Sequence, residues 1–389
     1  MILNRKYKAL LAGTFTLLIV MGLSRFAYTP IFPMMQRELG FTDQFAGFLA
    51  SINYAGYLLG SVFAGYWNWK NSRASSLKIY LIINSLSIVL MGISDNYTLW
   101  YFLRFIAGLT AGIIFVLISS IIMDYLTEKK MTHLTGFFYA GVGTGIFFGG
   151  ISVPYLADFF GWKGTWYGVG ALAFLLTYFV SRWVPDEKNT VDSAPAKVET
   201  TENKEHKQIS LPWLIIAYTA EGIGYIISGT FLVAIVSNIP GFNSHSASMS
   251  WAFVGLAAAP SCILWVRLAD HFGKIPMLKL AYIIQIFGIS LPLVFQNNIG
   301  AFLGALLFGG TFMGITTLSI ATAKILFPEN SSRIIGQMTF FYAGGQIIGP
   351  IVAGYLTKST GNYNSSIIFA SIILVIGVIS LTLGERRKA

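Results

Sequence analysis

Gly22-Leu-Ser-Arg-Phe-Ala-Tyr-Thr-Pro-Ile-Phe-Pro33 puts a guanidinium, Arg25, near the middle of an apolar run that starts near Leu10 and continues to about Met35. At ~1.5 Å rise per residue, such a run exceeds the ~30 Å hydrocarbon core of a bilayer. Arginine keeps its proton, and at membrane depth it costs at least ~2.5–3.5 kcal/mol. Residues of this kind face a bundle interior or a watery cavity, where something pairs with them. Much of the chain reads as the structure that supplies Arg25 with that cavity.

The composition agrees with a membrane protein: 389 residues, 55% apolar and only 11% charged, with 40 glycines and 31 phenylalanines. Soluble domains carry roughly 25% charged residues. The net charge of +10 is not arranged as a basic stripe, and no nucleic-acid motif accompanies it, so no nucleic acid is expected as a partner. Cys262 is the single cysteine and lies in an apolar run, which excludes a disulfide framework and a cysteine metal site. The first apolar run is too long for a signal peptide and lacks a clear cleavage site, so it is expected to be retained.

Apolar runs long enough to span recur at about 9–35, 44–67, 76–94, 97–124, 132–157 and 163–184. They resume at about 211–238, 246–269, 275–295, 298–325, 333–357 and 363–384. An all-α membrane protein of twelve transmembrane helices is expected. With the N-terminus inside, the outer loops hold only Arg37, Lys163 and Lys358, while Arg25 and Arg104 are within spans. All the other Lys and Arg fall on the inner side, so both termini are expected in the cytoplasm. Pro185–Ser210 is charged, free of aromatics and poor in apolar residues, and reads as a flexible cytoplasmic linker. It divides the chain into an N-terminal half, 1–184, and a C-terminal half, 211–389.

The halves repeat. Phe137-Phe-Tyr-Ala-Gly141 recurs letter for letter as Phe340-Phe-Tyr-Ala-Gly344, in the fifth span of each half. Parallel repeats of this kind form one recognised transporter plan, with the site near the midplane between them. An offset of about 200 aligns Arg25 with Tyr225, and Met21 with Glu221. Glu221 is the one acid deep within a span, about a helical turn from the position matching Arg25. The two charges are therefore expected to meet across the cavity, either as a coupling pair or as a purely structural one.

Further candidates surround that pair. Tyr28, Asn53, Tyr54, Tyr57, Tyr139, Tyr225, Tyr342 and Gln346 are polar or amphipathic residues within spans, suited to a cavity wall or to packing alone. Arg104-xxx-Gly108-xxx-Gly112 begins about five residues into span four, so Arg104 either joins the interior charges or snorkels to the interface. Gly141-xxx-Gly145-xxx-Gly149-Gly150 and Gly345-xxx-Gly349-Pro350-xx-Ala353-Gly354 are small-residue faces that let helices approach, suited to packing alone or to packing that also bends or slides. In the loop Leu268–Lys274, Asp270, Gly273 and Lys274 suit a cytoplasmic charge latch, or else a solvated basic loop. The four histidines lack ligand spacing and receive no role. Walker A, nucleophile-elbow and HExxH motifs are absent, so neither an enzyme nor a metal site is expected.

Twelve spans split six and six, with Arg104-xxx-Gly108-xxx-Gly112, the glycine face at 141–150 and the loop at 268–274, resemble the major facilitator superfamily. Ile146 replaces the proline of that superfamily's span-five motif, which weakens an antiporter inference, and the first-half copy of the loop is missing at 65–74. Arg25-Phe-Ala-Tyr-Thr-Pro30, Ala46–Tyr57 and Glu221-Gly-Ile-Gly-Tyr225 are similar to the YbfB/YjiJ-type branch of bacterial facilitators. The resemblance implies a secondary transporter of the cytoplasmic (inner) membrane, commonly proton-coupled. The expectation is alternating access for a small organic solute, anionic or strongly polar, by a monomer with no cofactor and a proton gradient as energy source. Arg25 would hold the solute and Glu221 the proton. Drug or metabolite efflux by proton antiport, or a non-transporting membrane sensor or scaffold, are the alternatives.

Overall fold

The computed structural model describes residues 5–67, 69, 73–185 and 208–386. Of the expected linker, residues 186–207 lie outside the described residues, as do Lys70 and its neighbours 68, 71 and 72. The first span is α1 (Arg5–Leu17), a π-helical segment (Leu18–Phe26) and α2 (Tyr28–Leu39). Then follow α3 (Asp43–Tyr66), α4 (Arg73–Leu90), α5 (Tyr97–Glu128) and α6 (Thr135–Trp183). The second half holds α7 (Leu211–Ser237), α8 (Ser244–Phe272), α9 (Lys274–Val294), α10 (Asn298–Leu326), α11 (Ser331–Thr360) and α12 (Asn364–Leu383).

Ten described segments are long and apolar enough to cross a membrane, and one of them, Thr132–Trp183, is broken at Gly161. Gly161 sits at φ 66°, a left-handed value that suits a residue without Cβ, and it divides α6 into spans five and six. With α11 the described helices make twelve spans. Where the hydropathy of the third and fourth spans of the second half runs together, Asn297 marks the boundary: its side chain accepts from the Ile299 and Gly300 amides and caps α10. A two-residue antiparallel pairing joins 208–209 to 385–386, tying the start of the second half to the end of α12.

Glycine decides how closely the helices pack. A Cβ at Gly22 would lie 2.4 Å from the Gly145 Cα, and one at Gly222 would lie 2.3 Å from the Tyr342 carbonyl oxygen. The first and fifth spans of the N-half therefore pack as the seventh and eleventh do, at positions 200 residues apart, and the repeat is present in three dimensions. Within the N-half, a Cβ at Gly108 would lie 1.9 Å from the Asn53 carbonyl oxygen, so this backbone contact permits α5 to meet α3.

Between the halves, α6 follows α8 along much of its length: added Cβ atoms at Gly143 and Gly150 would stand 2.4 Å from the Ala259 nitrogen and 2.3 Å from the Ala252 nitrogen. The pair α3 and α11 behaves differently. Gly47 meets the Pro350 carbonyl at the end away from the termini, whereas nearer the termini Tyr66 is 90% exposed and Phe340 and Phe341 are exposed as well.

Candidate functional site

The π-helical segment carries Arg25 and turns it inward. Pro30 has no N–H to offer the Phe26 carbonyl, and regular helix resumes at Tyr28 after the break at Ala27. Wide turns of this kind recur at functional positions. Arg25 is 3% exposed and its guanidinium lies 4.5 Å from the Tyr54 ring centroid and 4.7 Å from that of Tyr57. Desolvated contacts of this type contribute about 2 kcal/mol each. They satisfy the charge partly and the hydrogens not at all: Nε and Nη2 are sealed from solvent without a hydrogen-bond partner. These two nitrogens lie on the same edge of the guanidinium and together form the fork that grips a carboxylate with two parallel bonds.

Arg104 does not snorkel. It is 1% exposed, lies over the Tyr28 ring at 4.7 Å, and donates from Nη1 to the Ser24 carbonyl of the π-helical segment at 2.9 Å. Its Nε and Nη2 also lack partners. Asn53, expected in the cavity wall, instead donates to the Arg104 carbonyl at 2.8 Å, and the Tyr28 hydroxyl donates to the Ala46 carbonyl at 3.1 Å. Both brace the N-half around the two cations.

Glu221 is fully buried but does not meet Arg25. Gln285 of α9 donates from Nε2 to both of its carboxylate oxygens, at 2.9 and 3.0 Å. No ion pair between Glu221 and Arg25 is present among the described residues, so the expected pairing across the cavity is corrected. Glu221 points into its own half, toward α9, and Tyr225, one turn further along α7, packs against α10 and α11. Tyr225, Tyr54, Tyr57 and Tyr342 are the phenols around Arg25.

Tyr225 stands in a column of near-parallel rings. Tyr218 stacks on Tyr342 with centroids 4.4 Å apart, Tyr342 on Tyr225 at 5.7 Å, Tyr225 on Phe312 at 5.6 Å, and Phe312 on Phe308 at 5.5 Å. Gln346 of α11 donates from Nε2 to the Tyr225 hydroxyl. Tyr139 is part-exposed, packs against Phe138 and has Tyr57 among its neighbours.

Away from the termini the halves close on one another. Thr29 donates to the Gly229 carbonyl at 2.6 Å, Tyr54 and Thr230 share a hydrogen bond at 3.2 Å, and Phe32 meets Phe231 edge-on at 5.7 Å. Farther out, Tyr363 donates to Asp43, Lys358 to Gln44 at 3.0 Å, and Arg37 to Ser244 at 2.7 Å, while His245 contacts Asp158 at 2.5 Å. Sequence reading missed this rim, including a histidine given no role. Two cavities lie at this face, of about 570 and 350 Å³, and neither is lined by Arg25.

On the termini face the expected latch is not formed. Asp270 is exposed at the last turn of α8 and has no ion pair or hydrogen bond among the described residues, and neither has Lys274. Gly273, at φ 90°, reverses the chain between α8 and α9 and leaves Asp270 facing outward. Charge contacts on this face within one half include Arg73 with Asp124 at 2.9 Å and Lys279 with Glu385 at 3.0 Å.

A family model described as "Uncharacterised MFS-type transporter YbfB" matches residues 17–382. The chain belongs to this family. It is thus a multi-span membrane transporter and not an enzyme. Among curated relatives, the voltage-gated purine nucleotide uniporter SLC17A9 of Homo sapiens is 22% identical, covering 91% of this chain and 86% of its own. Multidrug resistance protein 1 of Bacillus subtilis (strain 168) is 24% identical, covering 92% of each. A crystal structure of a mutant of nucleoside transporter NupG superposes with a TM-score of 0.78 at 14% identity, covering 98% of this chain and all of that one. Such family members move a small molecule across the bilayer, and the fold is what this chain shares with the nucleoside transporter.

Proposed function

We propose that the protein carries a small organic anion across the cytoplasmic membrane by alternating access, driven by a proton gradient and acting as a monomer without a cofactor. The observation that carries this reading is the Arg25 fork: two adjacent donors, sealed and unpartnered, on a cation that cannot neutralise itself. A buried unpaired charge is costly, so an anionic ligand that completes it gains what the empty site lacks. The similarity to a purine nucleotide uniporter is in keeping with an anionic cargo.

The Lys and Arg distribution supports cytoplasmic termini, which makes the closed rim extracellular and the exposed ends of α3 and α11 cytoplasmic. Glu221 is the proton site in this reading. Arg25, Arg104 and Glu221 are the three buried charged residues among those described, and Glu221 alone can gain or lose a proton while its partner, the neutral amide of Gln285, stays unchanged.

The test is solute-dependent proton flux in proteoliposomes of purified protein. Parent protein should move protons on addition of an organic carboxylate, and Arg25→Ala should not. Anion-independent activity equal in parent and variant would overturn the proposal.

A further inference from the structure

We infer that the Tyr225 hydroxyl, aimed by Gln346, is the second anchor for the anion and comes from the half opposite Arg25, so that a carboxylate bridges the two halves. This rests on the reading of Arg25 just given and extends it to a residue on the other side of the cavity.

Gln346 contributes its amide N–H to Tyr225, and an N–H can only donate. The Tyr225 oxygen is therefore the acceptor in that bond, and its own hydrogen is left to turn elsewhere. Within the protein that hydrogen has the Tyr342 hydroxyl as its partner, a neutral acceptor that a carboxylate would displace. The ring cannot swing away, because Tyr342 and Phe312 stack on its two faces at 10° and 3°. The result is a rigid donor whose direction is set by one amide.

That donor faces Arg25. Positions 25 and 225 are related by the same 200-residue offset that places Gly22 and Gly222 in matching helix contacts. Residues so related on the two innermost helices stand opposite each other across the pseudo-axis, and Tyr225 is among the phenols close enough to interact with Arg25. A carboxylate gripped by the Nε/Nη2 fork retains lone pairs on each oxygen. One of them can take the Tyr225 hydrogen. The ligand then ties the N-half to the C-half through three bonds, none of which exists in the empty protein. Occupancy would favour approach of the halves around the anion.

The test is ligand affinity in purified full-length protein, with benzoate, lactate, citrate and adenosine monophosphate each used alone as probes in a thermal-shift titration. Tyr225→Phe keeps the stacked ring and removes the hydroxyl; Gln346→Met keeps the length and removes the aiming amide. For a probe that binds the parent, Arg25→Ala should abolish binding. Tyr225→Phe should raise Kd about tenfold, the effect of losing one hydrogen bond to a charged group. Gln346→Met should weaken binding in the same direction, and it stands in should Tyr225→Phe fail to purify as a monodisperse protein. Binding lost in Arg25→Ala but unchanged in Tyr225→Phe, or in Gln346→Met where that variant stands in, overturns the second anchor and leaves the anion site standing. Binding unchanged in Arg25→Ala, or no binding of any probe to the parent, overturns both.

Discussion

Gln285 offers one nitrogen to both oxygens of Glu221, and the carboxylate is thereby held in the middle of the C-half by a neutral partner rather than by a cation. An amide tolerates either protonation state of the acid next to it, since Gln285 can donate through its nitrogen or accept through its oxygen, which has no partner in this state. Replacing Glu221 by Gln removes the ionisable group and keeps the shape. The expected outcome in proteoliposomes is retained solute exchange down a gradient and loss of accumulation driven by a pH gradient. Glu221→Gln protein that still concentrates solute under a pH gradient would exclude Glu221 as the proton site.

At Arg25 the expected outcome depends on geometry as well as charge. Arg25→Lys keeps a cation between Tyr54 and Tyr57 but loses the paired donors, and transport should fall about ten- to hundredfold, matching roughly 1.5–3 kcal/mol for a charge-assisted bond. Arg25→Ala should fall at least as far. Initial rates of labelled-solute uptake, normalised to protein in the membrane, give the comparison.

Two glycines separate folding from cycling. Gly108→Ala forces a methyl group against the Asn53 carbonyl inside the N-half, and overpacking costs about 1–3 kcal/mol, so its melting temperature should drop. At Gly47 the obstructing atom is the Pro350 carbonyl of the other half, 2.3 Å from an added Cβ. Gly47→Ala should leave the melting temperature nearly unchanged while making engineered cysteines behind the extracellular rim more reactive from outside. Equal melting losses for the two variants would contradict the distinction.

Closure of the rim should also respond to alkali. Burial and the adjacent Asp43 carboxylate raise the Tyr363 phenol well above its ordinary range, so it remains a donor through neutral pH. The closed state binds this proton more tightly than an open one would. Closure is therefore fully supported below the ordinary tyrosine range and weakens as pH rises beyond it. Accessibility of a cysteine placed behind the rim should be flat around neutral pH and increase in alkali, and Tyr363→Phe should show raised accessibility with the alkaline dependence removed.

Spans and repeat were legible because hydropathy and glycine spacing act locally: the run around Arg25, the break near Gly161 and the glycine faces at 141–150 and 345–354 each carry their own signal. Arg25 was legible as a buried cation for the same reason. The partner of Glu221 was not. Gln285 is one polar residue in an apolar span with no spacing that ties it to position 221, and which way Glu221 points depends on helix rotation that composition does not encode. The rim was also hidden. Asp43 with Tyr363 and Asp158 with His245 join residues 320 and 87 positions apart, near helix ends where charged residues are ordinarily solvated.

The wide turn at Leu18–Phe26 has a consequence for reading relatives of this chain. Bonds that skip to the fifth residue fit one more residue into the turn than an α-helix would, so α1 and α2 are out of phase by about 100° compared with an uninterrupted helix. A relative with an ordinary first helix would differ by a single-residue gap in the middle of a transmembrane segment, where alignments seldom allow one. Forced into columns without that gap, its residues would be matched to ones on a different face. An arginine found one position away from 25 in such a chain could then be the same residue in space, and an arginine aligned with it could be facing lipid.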